Sequence, residues 1–280
     1  MAMGGINSGD DLPICVTCGI QYGPVAAGVP PVHCKICEDE RQYVGYEGQQ
    51  WTSLAVLRRQ GRTVDFREEA PGLWGLATSP VMGIGQRALL VPGNGGTVMW
   101  DSISVIDEAS VTRVAELGGI SAIALSHPHF LGSVVEWSRA FGDVPIYVHE
   151  RDAPWLCRDE NVVLWSGETT EILPGRTLIN VGVHFAGGTV MHWDGTDGRG
   201  ALCAGDIFHV VSDRRWVGFM HSYPNMIPEH PDTIRRALEL IEPYHFESLY
   251  GGWWDRVISD DAHNRVIASA QRYFHHIGSR

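Results

Sequence analysis

Four residues of types that hold metal ions stand where apolar runs end. His127 and His129 follow the run Ile120 to Ser126, His184 lies in Val-Gly-Val-His-Phe-Ala-Gly-Gly, and Asp206 ends Ala-Leu-Cys-Ala-Gly. Imidazoles two residues apart at the end of a strand point the same way, so both can reach one cation. A third histidine and a carboxylate from later strand ends would complete its shell. Three neutral imidazoles leave a cation most of its positive charge, which lowers the pKa of bound water towards neutrality and points to hydrolysis. Two roles stay open for Asp206: a fourth ligand, or an outer acceptor that orients the attacking water. Pro128 favours an extended His127.

A second set of donors is made of sulfur. Cys15-Val-Thr-Cys18 and Cys34-Lys-Ile-Cys37 are two CxxC knuckles fifteen residues apart. Each knuckle presents two thiolates on one side, and the loop between them lets the pairs converge on a tetrahedral, structural zinc. Iron is the rival at such a site, because a rubredoxin-like centre also uses two knuckles, usually with a longer segment between. Cys203 sits in an apolar run and reads as a small buried hydrophobe.

The order His127-Pro-His129, His184 before Gly-Gly and Asp206 after a strand resembles the metallo-β-lactamase superfamily. Its signature is His-x-His-x-Asp-His, a turn histidine, a strand-end aspartate and a final histidine. This chain departs from that signature at two places. After Phe130 the chain runs Leu131-Gly132, so the family's Asp-His is either substituted or deleted, and Gly252-Trp253-Trp254 stand near the place of the last histidine. In the family the residues present here hold the first metal and the absent ones the second, so the resemblance implies a mononuclear site. It also implies an αββα sandwich, an α/β (α+β) architecture with the knuckle module added at the N-terminus. Trp253 and Trp254 read as filling the vacated second-metal space or lining an apolar pocket.

The stretch Phe219 to Ile227 follows the Asp206 strand closely enough to overhang the site. His221, Tyr223 and Asn225 in it are candidates for substrate or oxyanion contacts, with ordinary loop packing as the alternative.

The elements around these residues read as follows. Residues 1–48 form a polar tail and the knuckle module, and 49–280 the sandwich, joined by a helix over Gln49 to Arg59. Strands are expected at Leu73 to Thr78, Gln86 to Val91 and Thr97 to Trp100. From there helices and strands alternate: helix Asp107 to Leu117, strand Ile120 to Leu125, helix Gly132 to Phe141, strand Pro145 to His149. More strands run from Val162 to Trp193 and over Ala201 to Ala204. The helix Asp232 to Ile241, the strand Ser248 to Tyr250 and the helix Asp261 to Ile277 end the chain.

A net charge of −12 on 280 residues disfavours phosphate backbones and anionic membranes. The start of the chain lacks the basic and apolar regions of a secretory leader, and no apolar stretch reaches bilayer length, so residence in the cytoplasm is expected. Three functions compete. One is a zinc hydrolase of a small-molecule ester, lactone, thioester or amide. Another is a metal-dependent redox enzyme, an iron dioxygenase or one fed electrons by a rubredoxin-like module. The third is a non-catalytic scaffold whose module makes a protein contact or self-associates.

Overall fold

The computed structural model describes residues 9–24 and 29–278; most of the polar N-terminal tail lies outside the described residues. Apolar runs bounded by glycine and proline become strands, and most of them assemble into two large sheets. The first sheet holds β1 (Thr63–Ala70), β2 (Leu73–Ser79), β3 (Arg87–Val91), β4 (Val98–Trp100), β5 (Ala122–Ala124), β6 (Ile146–His149) and β7 (Val162–Trp165), in that spatial order. It is antiparallel as far as β4 and parallel from β4 to β7. The second sheet holds β8 (Thr169–Leu173), β9 (Arg176–Asn180), β10 (Thr189–Trp193), β11 (Ala201–Gly205), β12 (Ser248–Gly251) and β13 (Val257–Ile258), again in order.

Among the described residues five α-helices flank the sheets: α1 (Leu54–Arg59), α2 (Glu108–Glu116), α3 (Val134–Ala140), α4 (Pro231–Ile241) and α5 (Ala262–His276). The sequence sets their starts. Asp107 accepts from Ser110 N while the Ser110 hydroxyl accepts from Asp107 N, a reciprocal cap that fixes the first turn of α2. Three apolar layers hold the four structural layers together. Leu89, Val91, Trp100, Leu178, Met191 and Trp193 fill the space between the sheets. Ile123, Val134, Val135, Trp137 and Ile146 fill the space under α3, and Leu202, Ala204, Ile234, Ile241, Leu249 and Val266 the space under α4 and α5. Stripes of helix and faces of sheet that must each be buried leave this order of layers. No described helix is long and apolar enough to cross a membrane.

Two local expectations change. Only Leu54–Arg59 is helical in the stretch read as one connecting helix; Trp51–Thr52 instead pairs with Ile14–Cys15, because those backbone groups complete the ladder beside the first knuckle. Strand β1 was not expected. Its sequence, Thr-Val-Asp-Phe-Arg-Glu-Glu-Ala, is polar because it lies at a sheet edge, where charge protects unpaired backbone.

The knuckle module shares its interior with the sandwich. Ile14, Ile20, Ile36 and the four cysteines belong to one buried cluster with Leu54, Ile103 and Leu131. Gln21 N donates to Gly132 O at 3.0 Å, and its side-chain oxygen accepts from Arg158. Arg158 in turn meets Glu136 at 2.6 Å, with both side chains 3% exposed.

Candidate metal centre

Every part of the centre comes from a loop at the end of a strand. His127 follows β5 in extended backbone, and Pro128–Phe130 form a single tight turn that brings His129 back alongside it. His184 sits in the turn between β9 and β10 with φ +68°, a left-handed conformation costly for a residue with a Cβ. Three contacts hold it there. Glu229 accepts from its N at 2.8 Å, Arg41 Nε donates to its O at 2.8 Å, and its Nδ1 donates to His221 O at 2.9 Å. That last bond leaves the Nε2 lone pair of the neutral ring facing inwards. Asp206 follows β11.

One nitrogen from each of His127, His129 and His184 lies within 4.8 Å of the others, and all three residues are buried. Asp206 joins this group through His127: its Oδ1 is 3.2 Å from His127 Nε2. His129 Nδ1 and His184 Nε2 are 3.1 Å apart. Ligands bound tetrahedrally at 2.0–2.1 Å would be separated by about 3.3 Å, so the spacing suits one cation. The hydrogen-bond inventory agrees, since His127 Nε2 and Asp206 Oδ1 are buried without a hydrogen-bond partner among the described residues. Buried polar atoms are nearly always paired, and such orphans mark a missing ion or water. Burial first, and mutual repulsion second, hold the His127 and His129 pKa values well below the usual range; burial takes His184 down to about 3. The rings are therefore neutral, as a ligand must be.

A residue outside the expected set supports His127. Asp101, just after β4 with φ +63°, accepts from Ser126 N at 2.8 Å and from its hydroxyl at 2.7 Å. Ser126 Oγ lies 2.9 Å from His127 Nδ1. Burial raises the Asp101 carboxyl to about 7. A Cβ on Gly205 would come within 2.7 Å of Ser126 Oγ, so the glycine before Asp206 leaves room for this chain of bonds. The sequence carried a signal for Asp101, an aspartate at the end of an apolar strand like Asp206, but without a neighbouring histidine to draw attention to it.

The space beside His127 is filled by Phe130. Its fully buried ring lies 4.5 Å from the His127 ring and 5.5 Å from Trp253, and a Cβ on Gly252 would be 2.7 Å from it. The expected filling by tryptophan is thus shared differently. Trp253 backs Phe130 and donates to Ile84 O at 3.0 Å, whereas Trp254 packs against Gly75 and lies by Arg67 and Arg87.

The overhanging loop has other tasks than those expected. His221 Nε2 is 2.8 Å from Glu40 Oε1, and Asn225 Nδ2 donates to Glu40 O and Gln42 O. Tyr223 is partly buried and donates to Asp206 O at 2.7 Å, fixing the loop that carries the carboxylate. All three are committed to protein partners.

In the second cluster, Cys15 Sγ is 3.6 Å from Cys37 Sγ and Cys18 Sγ 3.7 Å from Cys34 Sγ. Bonds of 2.3 Å in a tetrahedron give about 3.8 Å between sulfurs, so the four thiols are spaced for a metal and too far apart for disulfides. Tyr22 Oη and Gln49 Nε2 donate to Cys34 and Cys15.

Comparison with known proteins agrees with this geometry. Residues 83–253 match the family model of the metallo-beta-lactamase superfamily. The uncharacterized protein YmaE of Bacillus subtilis (strain 168) is 42% identical over 269 residues, covering 95% of this chain and 97% of its own. Among solved structures, a metallo-beta-lactamase from Pontibacter korlensis superposes with a TM-score of 0.54 at 14% identity, over 75% of this chain and 99% of its own. FIM-1 from Pseudomonas aeruginosa, in a mono-zinc form, does so at 0.53 and 12%, over 75% and 96%. A family match over more than half of the chain, on a sandwich with its histidines converging at the strand ends, makes this protein a member of the metallo-beta-lactamase superfamily.

Proposed function

We propose that the chain is a metal-dependent hydrolase with a single zinc held by His127, His129 and His184, acting on an ester, lactone, thioester or amide of a small molecule. The observation that carries this reading is the convergence of three buried, neutral imidazoles with the unpaired Oδ1 of Asp206. Phe130 supports one cation over two, because its ring takes the space next to His127. FIM-1 is described with one zinc on the same fold. When bound, the cation supplies Lewis acidity, which acidifies coordinated water and polarises a carbonyl.

The chain's own residues do the rest. Ser126, held by Asp101, orients the His127 ring so that Nε2 faces the centre. Main-chain carbonyls of residues 220 and 221 do the same for His184. Asp206 Oδ1 stands beside His127, placed to ligate the cation or to accept a proton from the attacking water. A zinc at the four cysteines is structural, since four thiolates leave no open position.

The centre is closed, and this favours a second, non-catalytic reading. His127, His129 and His184 are each 2% exposed and Asp206 4%, so little of the donor set faces solvent. Metal analysis separates the readings. The hydrolase predicts two zinc equivalents per chain, one of which disappears in His129→Ala and in His184→Ala together with turnover of an ester and lactone panel. Zinc at the cysteines alone, with no turnover, would leave the scaffold; iron with visible absorbance would favour the redox enzyme.

A further inference from the structure

Residues 39–42, just after the last cysteine of the second knuckle, form a strap across the histidine centre. Asp39 and Arg41 fold on each other, with Arg41 Nη1 2.8 Å from Asp39 Oδ1 and the Asp39 carboxylate also capping Arg41 N. This ion pair is mostly buried, at 18% and 13% side-chain exposure. Its guanidinium lies 4.5 Å from the centroid of the Phe185 ring, and its Nε donates to His184 O. Phe185 itself packs on both His127 and His129, at 5.6 and 4.8 Å between ring centroids.

The other side of the strap is bound as firmly. Ser222 Oγ donates to Arg41 O, Asn225 brackets Glu40 and Gln42, and His221 meets Glu40. These partners belong to the segment whose carbonyls orient His184. One short piece of chain, covalently attached to Cys37, therefore touches both supports of the same histidine. Lys35, between the two ligands of the second knuckle, anchors the module further by donating to Pro154 O and Leu156 O.

We propose that Arg41 is a positioning residue for His184, and that the strap 39–42 couples the two centres, so that a filled four-cysteine site keeps the histidine site closed and retains its metal. This rests on the reading of His127, His129 and His184 as a metal site. The physical reason is the left-handed backbone of His184, which persists only while its surroundings hold it. With the cysteines emptied, the knuckle loses the cross-link that orders residues 34 to 42, and the Arg41 bond to His184 goes with it. Emptying the knuckle is then also the way to open a centre that is otherwise too closed for substrate.

The test uses the full chain loaded with zinc and a chromophoric chelator that reports release. Wild type releases two equivalents, and an organomercurial that reacts with thiolates frees the cysteine-bound one. The expected result is that the mercurial speeds release of the second equivalent about tenfold or more, the scale of effect seen when a ligand loses its outer partners. Amide hydrogen exchange rises at the same time over 181–188 and 219–227. Arg41→Ala reproduces the faster release with the cysteines still filled, Arg41→Lys restores part of the retention, and the exposed Asn225→Ala has a smaller effect in the same direction. An unchanged rate of second release after the mercurial and in Arg41→Ala overturns the coupling while leaving the histidine centre standing. A single equivalent released by wild type overturns both.

Discussion

The two donor clusters contrast in how complete they are. At the cysteines, four sulfurs sit at nearly tetrahedral spacing and receive two hydrogen bonds, from Tyr22 and Gln49. At the histidines, three nitrogens converge, one carboxylate stands at the side, and His127 Nε2 and Asp206 Oδ1 have no hydrogen-bond partner among the described residues. The first arrangement is closed, because four thiolates fill a tetrahedron. The second brings three nitrogens and a carboxylate, and it depends on residues outside the donor set to keep its rings aimed. A cluster complete in itself can stabilise a fold, whereas one that is not must be held by the fold.

The largest effect should come from breaking the closed side. Structural zinc in knuckle peptides contributes about 10–16 kcal/mol, and here the cysteines belong to the cluster that includes Leu54, Ile103 and Leu131. Cys37→Ser is therefore expected to lower the stability of the whole sandwich, beyond the first 48 residues. Thermal unfolding followed by tryptophan fluorescence checks this. Loss confined to proteolysis before about residue 48, with the sandwich melting as in wild type, would show that the shared core transmits little.

Much of this contrast was legible in the sequence, and what was not has definite causes. Both donor clusters could be named, because metal chemistry restricts residue type and spacing together, and the structure brings the members of each close to one another. Helices and strands were placed well where burial forces a period: β3 and β10 in the sandwich and α2 under its cap were all expected nearly where they lie. Strand β1 was missed because an edge strand has little burial to impose alternation. Phe130, Arg41 and Asp101 escaped for another reason. Each acts through a neighbour far away in the chain, namely Gly252, His184 and Ser126, and no local pattern encodes such pairs. The loop 219–227 was placed correctly near the centre, but its polar groups face the strap, which sequence spacing could not show.

Phe130→Ala probes the difference from the other side, by emptying the space that separates one metal from two. A fully buried phenylalanine reduced to alanine costs about 3–5 kcal/mol. Metal content should not rise, because the residues that pack on the ring besides His127 are Gly252 and Trp253, which bring neither a carboxylate nor an imidazole. A third equivalent per chain in Phe130→Ala would show that the ring, rather than the missing ligands, keeps a second metal out.

Asp152 gives the contrast a pH dependence. It accepts from Gly187 N at 2.8 Å in the turn that carries His184, and burial raises its carboxyl to about 7. The unfolded value is 3.8, so between about 4 and 7 the folded state holds a proton that the unfolded state has lost. Its contribution is fully present below the unfolded value and is lost as pH rises to about 7. An amide in place of the carboxyl would keep the acceptor without the charge. Asp152→Asn should therefore gain stability on wild type between pH 5 and pH 8, by at most about 3 kcal/mol at 1.36 kcal/mol per unit. Denaturant curves that differ from wild type by the same amount at the two pH values would refute this.

The smallest of the four effects is the most specific to the histidine centre. Ser126→Ala removes the hydroxyl that links Asp101 to His127 Nδ1 while leaving the backbone bond from Ser126 N to Asp101 in place. The ligand ring loses its orientation and Asp101 loses one of its two donors. Outer partners of metal-bound histidines are worth 10–100-fold in metal affinity, or about 1.4–2.7 kcal/mol. Metal affinity at the histidines should fall by that factor, while the cysteine site, which has no contact with Ser126 in its hydrogen-bond set, binds as before. Competition titration against a chelator of known affinity reads both sites in one experiment. Equal weakening at the two sites would mean that the substitution acts through global stability, and the Asp101–Ser126–His127 relay would then have no particular part in aiming the imidazole. An unchanged affinity would mean that Phe130 and Phe185 alone hold the ring by packing, leaving the histidine site as self-supporting as the cysteine one.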